Sequence, residues 1–431
     1  MSKKLELLFP AGNLEKLKYA IAYGADAVYA GVPMFSLRAR ENQFTWEDLA
    51  EAVEYCHSRG KKIYFTANIY AHNMKLKPFM AAFEKMYALK PDAYIMSDPG
   101  LIDMVRTNYP DAEIHLSVQA NNTNWAQVKF WQKMGIKRII LSRELSLKEV
   151  REIHEQCPDM ELEFFVHGAI CMAYSGRCLL SNYFAHRDPN QGTCAHSCRW
   201  EYKVFKRDVS DADLYDSTGR PEEYIPLTGE FYLEERERKG DILPIDEDEY
   251  GTYIMNSRDI CLVSYLQELA DAGIVSFKVE RSKTINYLAG VGRGYREALD
   301  AVEKGESYDA DECAKELFAI SNRGYTPGFL VGNPGEMGIW FEKNGEIKEE
   351  EYLIVREYNA DKRLARIEVK NRFDLKDPVK IIAPDRTFEY SIETILDPKG
   401  NERESAHGGH FDVWINCPEN PGEWGLLRRK L

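Results

Sequence analysis

No stretch of roughly 18 apolar residues occurs anywhere in the 431-residue chain, which excludes an ordinary helical membrane span. The opening residues, MSKKLELLFPAGN, run almost at once into a strand pattern. They carry neither the long apolar core nor the small-residue cleavage site of a secretory leader, so a cytoplasmic protein with no membrane association is expected. Positive charge is in deficit: 56 Lys and Arg stand against 70 Asp and Glu, a net charge of -14. Indiscriminate attraction to a phosphate polymer is therefore excluded, although a locally basic groove is not. Low-complexity tracts are absent, and nothing matches HExxH or a nucleophile elbow, which removes the usual zinc-protease and serine-hydrolase readings. A disulfide framework is disfavoured too, and free or metal-bound thiols are expected, because the nine cysteines are odd in number and scattered over a long chain. Cys56, Cys157, Cys313 and Cys417 stand alone and read as small, semi-buried residues.

What remains is a globular composition, 44% hydrophobic and 29% charged, at a length that calls for two domains. Over the first 300 residues short β-branched or aromatic runs alternate with amphipathic stretches, the pattern of an α/β fold. The spacing predicts strands at Glu6–Phe9, Ala27–Ala30, Lys62–Asn68, Ala93–Ser97, Glu113–Val118, Arg138–Ser142, Glu161–His167 and Val275–Glu280. Helices are predicted at Leu14–Tyr23, Trp46–Arg59, Lys77–Leu89, Trp125–Met134, Leu147–Gln156 and Ile285–Val302, with a further one at Asp259–Ala272. Thr45 with Asp48, and Ser146 with Glu149, have the spacing of helix N-caps, while Gly24, Gly60 and Gly135 sit where helices should stop. Eight such units fit an eight-stranded β/α (TIM-like) barrel better than an open doubly wound sheet.

The expected organisation is a barrel domain over residues 1–320 and a small C-terminal all-β barrel domain over residues 321–431. An insertion at about residues 168–258 opens the seventh barrel unit. It carries four cysteines, then an acidic segment from Asp208 to Glu249 that reads as a solvated excursion, then a strand at Tyr253–Asn256. In the C-terminal part, strands are predicted at Phe329–Val331, Tyr352–Tyr358, Arg366–Lys370, Val379–Ile382, Ser391–Ile395 and Phe411–Ile415. Its basic residues Lys370, Arg372, Lys376, Lys380 and Arg386 read as solvated charge or, alternatively, as an RNA-holding face.

Polar residues gather at the C-terminal ends of the predicted barrel strands, where such barrels carry their chemistry. They include Asn13, Asn68, Ser97, Asp98, Ser117, Gln119, Asn121, Arg143, His167, Lys278, Glu280 and Arg281. Four cysteines follow the seventh strand within 28 residues, Cys171, Cys178, Cys194 and Cys198, spaced C-x6-C-x15-C-x3-C. Thiolate is a soft ligand, and Gly168, Gly176 and Gly192 let the backbone bend around a compact object. The pattern reads as an iron–sulfur cluster, a zinc site or an unmetallated group of thiols. The first of these is favoured because zinc knuckles are normally tighter than a seven-residue step. A radical S-adenosylmethionine motif, C-x3-C-x2-C, is excluded, since Glu201 stands where its third thiol would be. Cys261 is a reserve fifth sulfur. Cys171 four residues after His167 also admits a thiol–imidazole nucleophile, but a thiol among three others is more readily a ligand.

The run Glu163-Phe164-Phe165-Val166-His167-Gly168-Ala169-Ile170-Cys171, followed by Gly176-Arg177-Cys178-Leu179-Leu180-Ser181, resembles the signature of the peptidase U32 family of collagenase-like proteins. Further likeness lies in Leu7 to Asn13, Gly24 to Tyr29, Ser117 to Ala120, Gly192 to Cys194 and Lys278 to Arg281. By architecture the chain is most similar to the tRNA-hydroxylating branch of that family. The resemblance implies O2-independent, prephenate-dependent hydroxylation of the wobble uridine of certain tRNAs to 5-hydroxyuridine, with a 4Fe-4S cluster held by four cysteines. Other branches act on ribosomal RNA cytidine or quinone precursors, and a peptidase is the reading the family name carries. Transferred position by position, the ligands would be Cys171, Cys178, Cys194 and Cys198, with Cys261 as the alternative to Cys198. The implied partners are tRNA and prephenate, with an electron donor or partner protein besides. Catalytic candidates are then His167, Arg143, Arg281 and Gln119, with Arg38 and Lys278 as cofactor-binding candidates. The guanidinium groups suit a carboxylate donor, His167 suits a proton shuttle, and Gln119 and Asn121 suit a base edge. Each arginine also reads as a structural ion pair.

Overall fold

A computed structural model describes residues 4–37, 42–199, 205–207, 224–226, 231–234, 242–247, 252–253, 257–280, 284–320, 322–338, 350–369, 372–408 and 412–430. Eight parallel strands close into a barrel: β1 (Glu6–Ala11), β2 (Ala27–Gly31), β3 (Lys62–Thr66), β4 (Ala93–Met96), β5 (Ile114–Leu116), β6 (Arg138–Ile140), β7 (Glu161–Ala169) and, after the insertion, β9 (Ile274–Val279). Strand β9 pairs with β1 on one side and β7 on the other, which closes the ring. Between β7 and β9 lies β8 (Asp259–Cys261), antiparallel to the end of β7, and β10 (Tyr325–Thr326) extends it.

The helices are α1 (Leu14–Ala22), α2 (Trp46–His57), α3 (Asn73–Ala88), α4 (Pro99–Asn108), α5 (Trp125–Lys133), α6 (Leu147–Gln156), α7 (Leu180–Ala185), α8 (Leu266–Asp271), α9 (Ile285–Lys304) and α10 (Ala310–Phe318). Local chemistry explains several of their ends. Thr45 and Ser146 both form complete capping boxes, with Asp48 and Glu149 reaching back to the cap backbone. Asp98 accepts from Gly100 and Leu101 ahead of Pro99, a start signal for α4 that the apolar spacing missed.

Two apolar layers hold the barrel. Outside, the strands bury Leu7, Phe9, Val28, Phe65 and Phe277 against the helices. Inside, Leu8, Ala27, Tyr64, Ala93, Ile95, Val118, Ile140 and Phe165 fill the lumen. Toward its N-terminal end the lumen turns polar. Arg138 meets Glu6 and, at 2.7 Å, Glu161, while Tyr64 and Ser276 donate to Glu6 at 2.6 and 2.8 Å. Glu163, fully buried, faces Lys278 at 2.7 Å and Arg138 at 3.5 Å, so three carboxylates are matched with two cations in one network.

The C-terminal domain is an antiparallel half-barrel. The strands of its main sheet are β11 (Glu350–Asn359), β12 (Leu364–Glu368), β13 (Pro378–Ile382), β14 (Thr387–Ser391), β15 (Ile395–Leu396), β16 (Val413–Asn416) and β17 (Leu426–Lys430), in the order β14-β13-β17-β11-β12-β16-β15, and Phe373–Asp374 pairs separately with Ser405–Ala406. It docks on the outer faces of α1 and α9. There the Tyr23 hydroxyl lies between the carbonyls of Ile382 and Trp424 at 2.9 and 2.8 Å, and Arg293 donates to Ala383 at 2.8 Å.

Three expectations need correction. Residues 259–272 are not one helix: Asp259–Cys261 is strand β8, and only Leu266–Asp271 is helical, because pairing along the exposed end of β7 outweighs local helix preference. Phe329–Val331 lies in turns, since Gly328 at φ +59° breaks the chain just after β10. Ser391–Ile395 is two strands, split where Asn416 accepts from the backbones of Glu393 and Thr394. Of the predicted Tyr253–Asn256 strand, Thr252–Tyr253 is observed, while residues 254–256 and most of the acidic segment lie outside the described residues.

Candidate functional site

The C-terminal ends of the strands surround a cavity of about 150 Å³. Its wall takes Pro10 to Gly12 from β1, Tyr29 and Gly31 from β2, Thr66 and Asn68 from β3, Ser117 and Gln119 beyond β5, Arg143 beyond β6, Phe165 and Cys171 from β7 and its extension, and Lys278 and Glu280 from β9. Six strands thus deliver polar groups to one point, from residues that are remote in sequence.

Lys278 is almost fully buried. Its ammonium lies 4.3 Å from the centre of the Tyr29 ring, and Glu163 takes one of its three donors at 2.7 Å. Arg143, also buried, donates to the carbonyl of Ala169 at 2.6 Å and to Glu280 at 2.9 Å, and stacks over Phe165. Burial disfavours its charge, but Glu280 and Cys171 outweigh that and hold it firmly cationic. Gln119 lines the cavity, and Ser36 and Thr66 bury hydroxyls that have no hydrogen-bond partner among the described residues. Orphaned hydroxyls in a polar recess are what a polar ligand would satisfy.

The cysteine segment closes one side of this mouth. Gly168 at φ +109° begins it, where a Cβ would meet that of Glu280 at 2.6 Å, so only glycine lets β7 pass so close to β9. Gly176 at φ +74° presses on the carbonyl of Gln119, to which the Tyr70 hydroxyl donates at 2.7 Å. Asn190 donates to the carbonyl of Cys178, and its own carbonyl accepts from Tyr70. Arg187 grips the carbonyls of Thr193 and Cys194, and Ser181 ties Arg187 to Ala195. The turn bearing Cys198 packs against α7.

The thiols sense one another. Burial raises the pKa of Cys178, and the nearby Cys171 and Cys194 raise it further. Among the described residues no three Cys, His, Asp or Glu side chains converge closely enough to hold a metal ion as they stand. The donor set nevertheless suits a soft, positively charged centre: burial and the neighbouring sulfurs disfavour the Cys178 thiolate, and a cation between them would reverse that penalty.

His167 is placed away from the cavity. Between Phe165 and His167 the pairing of β7 with β9 slips, so that Phe165 opposes Lys278 but His167 opposes Val279. The bulge turns the imidazole out of the lumen and into the helix layer, amid the rings of Tyr325, Tyr295 and Tyr287 at 5.2 to 5.7 Å. Tyr295 donates to the carbonyl of Val166 at 2.7 Å, so His167 Nδ1, 3.4 Å away, carries the proton toward it, while Nε2 is buried without a partner among the described residues. Burial drives the pKa of His167 down to about 3. The proton-shuttle expectation therefore lacks its geometry, and so does the Cys171–His167 dyad, since Cys171 lines the cavity and His167 does not.

Cys261 opposes His167 in register and sits 3.7 Å from Tyr295, in the same helix layer, where burial raises its pKa. Arg38 and Arg281 lie outside the described residues. In the C-terminal domain Arg372, Lys380 and Arg386 each pair with a nearby carboxylate, while Lys370 is outside the described residues. The paired Glu280 and the Glu163–Lys278 contact were missed as site features, although both glutamates stood in the motifs already noted.

Comparison with known proteins finds a match to "Peptidase family U32" over residues 12–339 and to "Peptidase family U32 C-terminal domain" over residues 354–428. The chain is 43% identical to tRNA hydroxylation protein P of Escherichia coli, over 97% of this chain and 94% of that protein. It is 32% identical to the 23S rRNA 5-hydroxycytidine C2501 synthase of E. coli, over 79% of this chain and 47% of that protein. It is 30% identical to a protein named collagenase from Porphyromonas gingivalis, over 79% of this chain and 76% of that protein.

Proposed function

The chain belongs to peptidase family U32, and on that footing we infer that it is an RNA-modifying oxidoreductase: it hydroxylates the wobble uridine of certain tRNAs to 5-hydroxyuridine without O2, with prephenate as oxygen donor. The observation that carries this reading is the polar cavity at the barrel mouth with Cys171 in its wall and Cys178 and Cys194 close behind it. A near full-length likeness to a protein named for tRNA hydroxylation supports it.

Replacing C5–H of uracil by C5–OH is a two-electron oxidation of the base. The donor must correspondingly give up its whole hydroxyl group, keep both electrons of the broken carbon–oxygen bond and take up the displaced hydrogen as a proton. A 4Fe-4S cluster held by Cys171, Cys178, Cys194 and Cys198 would supply electron transfer beside the cavity. The chain's own residues bind and orient. Lys278 keeps two donors beyond the one on Glu163, and they suit a carboxylate of the donor. A second carboxylate would displace Glu280 from Arg143, whose fork matches it. Gln119 offers both an amide donor and an acceptor, the complement of the uracil N3–H and O4 edge.

The test is mass spectrometry of tRNA from a deletion strain, complemented with the wild-type protein and with Cys178→Ala, beside iron and sulfide analysis of anaerobically purified protein. Loss of 5-hydroxyuridine derivatives, restored by wild type alone, is expected. Unaltered derivatives would refute the tRNA assignment and favour an rRNA cytidine or quinone-precursor substrate, and a colourless, zinc-loaded protein would end the cluster reading. Against the peptidase alternative stands the absence of an assembled Cys171–His167 dyad.

A further inference from the structure

Among the described residues, twelve large apolar side chains are exposed, and five of them crowd into residues 172–184: Met172, Tyr174, Leu179, Tyr183 and Phe184. Tyr183 is 79% exposed and Tyr174 54%. Apolar side chains so concentrated in one short stretch mark an interaction surface rather than ordinary scatter. This stretch is the cysteine segment itself, directly continuous with the cavity through Cys171.

Two open clefts flank it, of about 440 and 420 Å³, and they share Arg177. The first adds Tyr70, Trp131 and Asn190, and the second adds Tyr174 and Asn121. Each falls within the usual range for small-ligand sites, roughly 300–1,000 Å³. Asn121 is held at φ +55°, and its amide nitrogen is buried with no hydrogen-bond partner among the described residues. The surface therefore offers planar apolar faces, one exposed guanidinium and amides able to read a base edge.

The overall charge narrows the occupant. A net charge of -14 gives no long-range attraction for RNA phosphates, and residues 172–184 carry a single cation, Arg177, so contacts on this face fall mainly to base faces. Resting on the tRNA-hydroxylase reading, we propose that residues 172–184 form a stacking platform for unpaired loop bases flanking the nucleotide that enters the cavity. Tyr174 and Tyr183 are the stacking faces, Arg177 bridges the two clefts, and Asn121 reads one base edge. A paired stem, whose bases are already stacked, gains nothing from such a platform.

The experiment uses the full-length protein with a stem-loop RNA bearing a seven-nucleotide uridine-containing loop, and a fully paired RNA of equal length. Binding is followed by fluorescence anisotropy at several salt concentrations. Tyr183→Ala and Tyr174→Ala should each weaken loop binding by about 5- to 100-fold while leaving the salt dependence unchanged, the usual effect of losing one base stack. Arg177→Ala should lower the salt slope by about one. Paired RNA should bind the same in all four proteins, and melting temperature and iron content should match wild type. Wild-type loop binding by both tyrosine variants overturns the platform, as does equal weakening toward paired RNA. If those variants instead abolish self-association in sedimentation while RNA binding persists, the face is a contact between copies of this chain and the proposal fails. The hydroxylase reading is judged separately by tRNA mass spectrometry, so a platform that fails in a strain that still needs the protein for 5-hydroxyuridine leaves that reading intact.

Discussion

Substituting His167 by Phe tests the placement of the imidazole most directly. The ring is shut among three tyrosines, and its pKa of about 3 compares with an ordinary value of 6.5 in the unfolded chain. Above pH 6.5 neither form binds the proton, and the depressed pKa costs nothing. As the pH falls below that value, the unfolded chain takes up a proton that the folded chain refuses. Stability then declines by about 1.4 kcal/mol per pH unit until the native ring titrates. Between pH 7.5 and 4.5 the loss from this one group comes to about 2.7 kcal/mol, a large share of a typical 5–15 kcal/mol. His167→Phe removes the titration and the unpaired Nε2 while keeping an aromatic ring in an aromatic niche. Urea unfolding at pH 4.5, 5.5, 6.5 and 7.5, followed by circular dichroism, should show a shallower acid decline for the variant by about that amount. The other histidines titrate equally in both proteins and cancel. Parallel acid declines would refute the argument, because they would mean that the native ring is protonated as freely as in solution. Hydroxylation tests the same placement: a proton-transferring imidazole is worth roughly 10²- to 10⁴-fold, whereas a ring facing the helix layer predicts activity within about tenfold of wild type.

Glu163→Ala leaves the buried Lys278 without its carboxylate and removes one partner of Arg138, so a loss of about 3–5 kcal/mol is expected by urea denaturation. The double variant Glu163→Ala, Lys278→Met should recover part of it, and no recovery would show that Glu163 acts through something other than this pair. Gly176→Ala forces a Cβ to 2.2 Å from the Gln119 carbonyl at φ +74°, whereas Gly60→Ala, at φ +65° with open space, meets only the backbone penalty of about 1–2 kcal/mol. Trypsin should therefore cut faster at the exposed Arg177 in Gly176→Ala but not in Gly60→Ala. Equal cutting would mean that the cysteine segment does not depend on its contact with the barrel mouth.

Much of the fold was legible because it is local. Runs such as Ala27-Val28-Tyr29-Ala30 and Ala93-Tyr94-Ile95-Met96 are buried on both faces, as parallel barrel strands must be, and all eight were placed correctly. Thr45 with Asp48 and Ser146 with Glu149 announced their helices through chemistry confined to one turn. The dense run of cysteines and the polar strand ends were visible for the same reason, since spacing alone reveals them, and the structure gathers several of the strand-end residues around one cavity. Helices α4, α7 and α10 were not read from the spacing, and Asp259–Cys261 was misread because a three-residue edge strand carries no period to recognise.

A closed eight-unit α/β barrel, a β-rich C-terminal domain and a dense run of thiols after the seventh strand could be read from residue order, because each is written in local spacing. Which charged side chains meet inside the barrel was settled by contacts between strands remote in sequence. Arg138 and Glu6 are 132 residues apart, Arg143 and Glu280 137, and Lys278 and Glu163 115, and no local pattern encodes such pairings. Tertiary structure also decided the fate of His167. A strand that must hydrogen-bond both β9 and the antiparallel β8 slips by one residue where the partners meet, and with a side-chain period of two that slip carries the imidazole from the lumen to the helix layer.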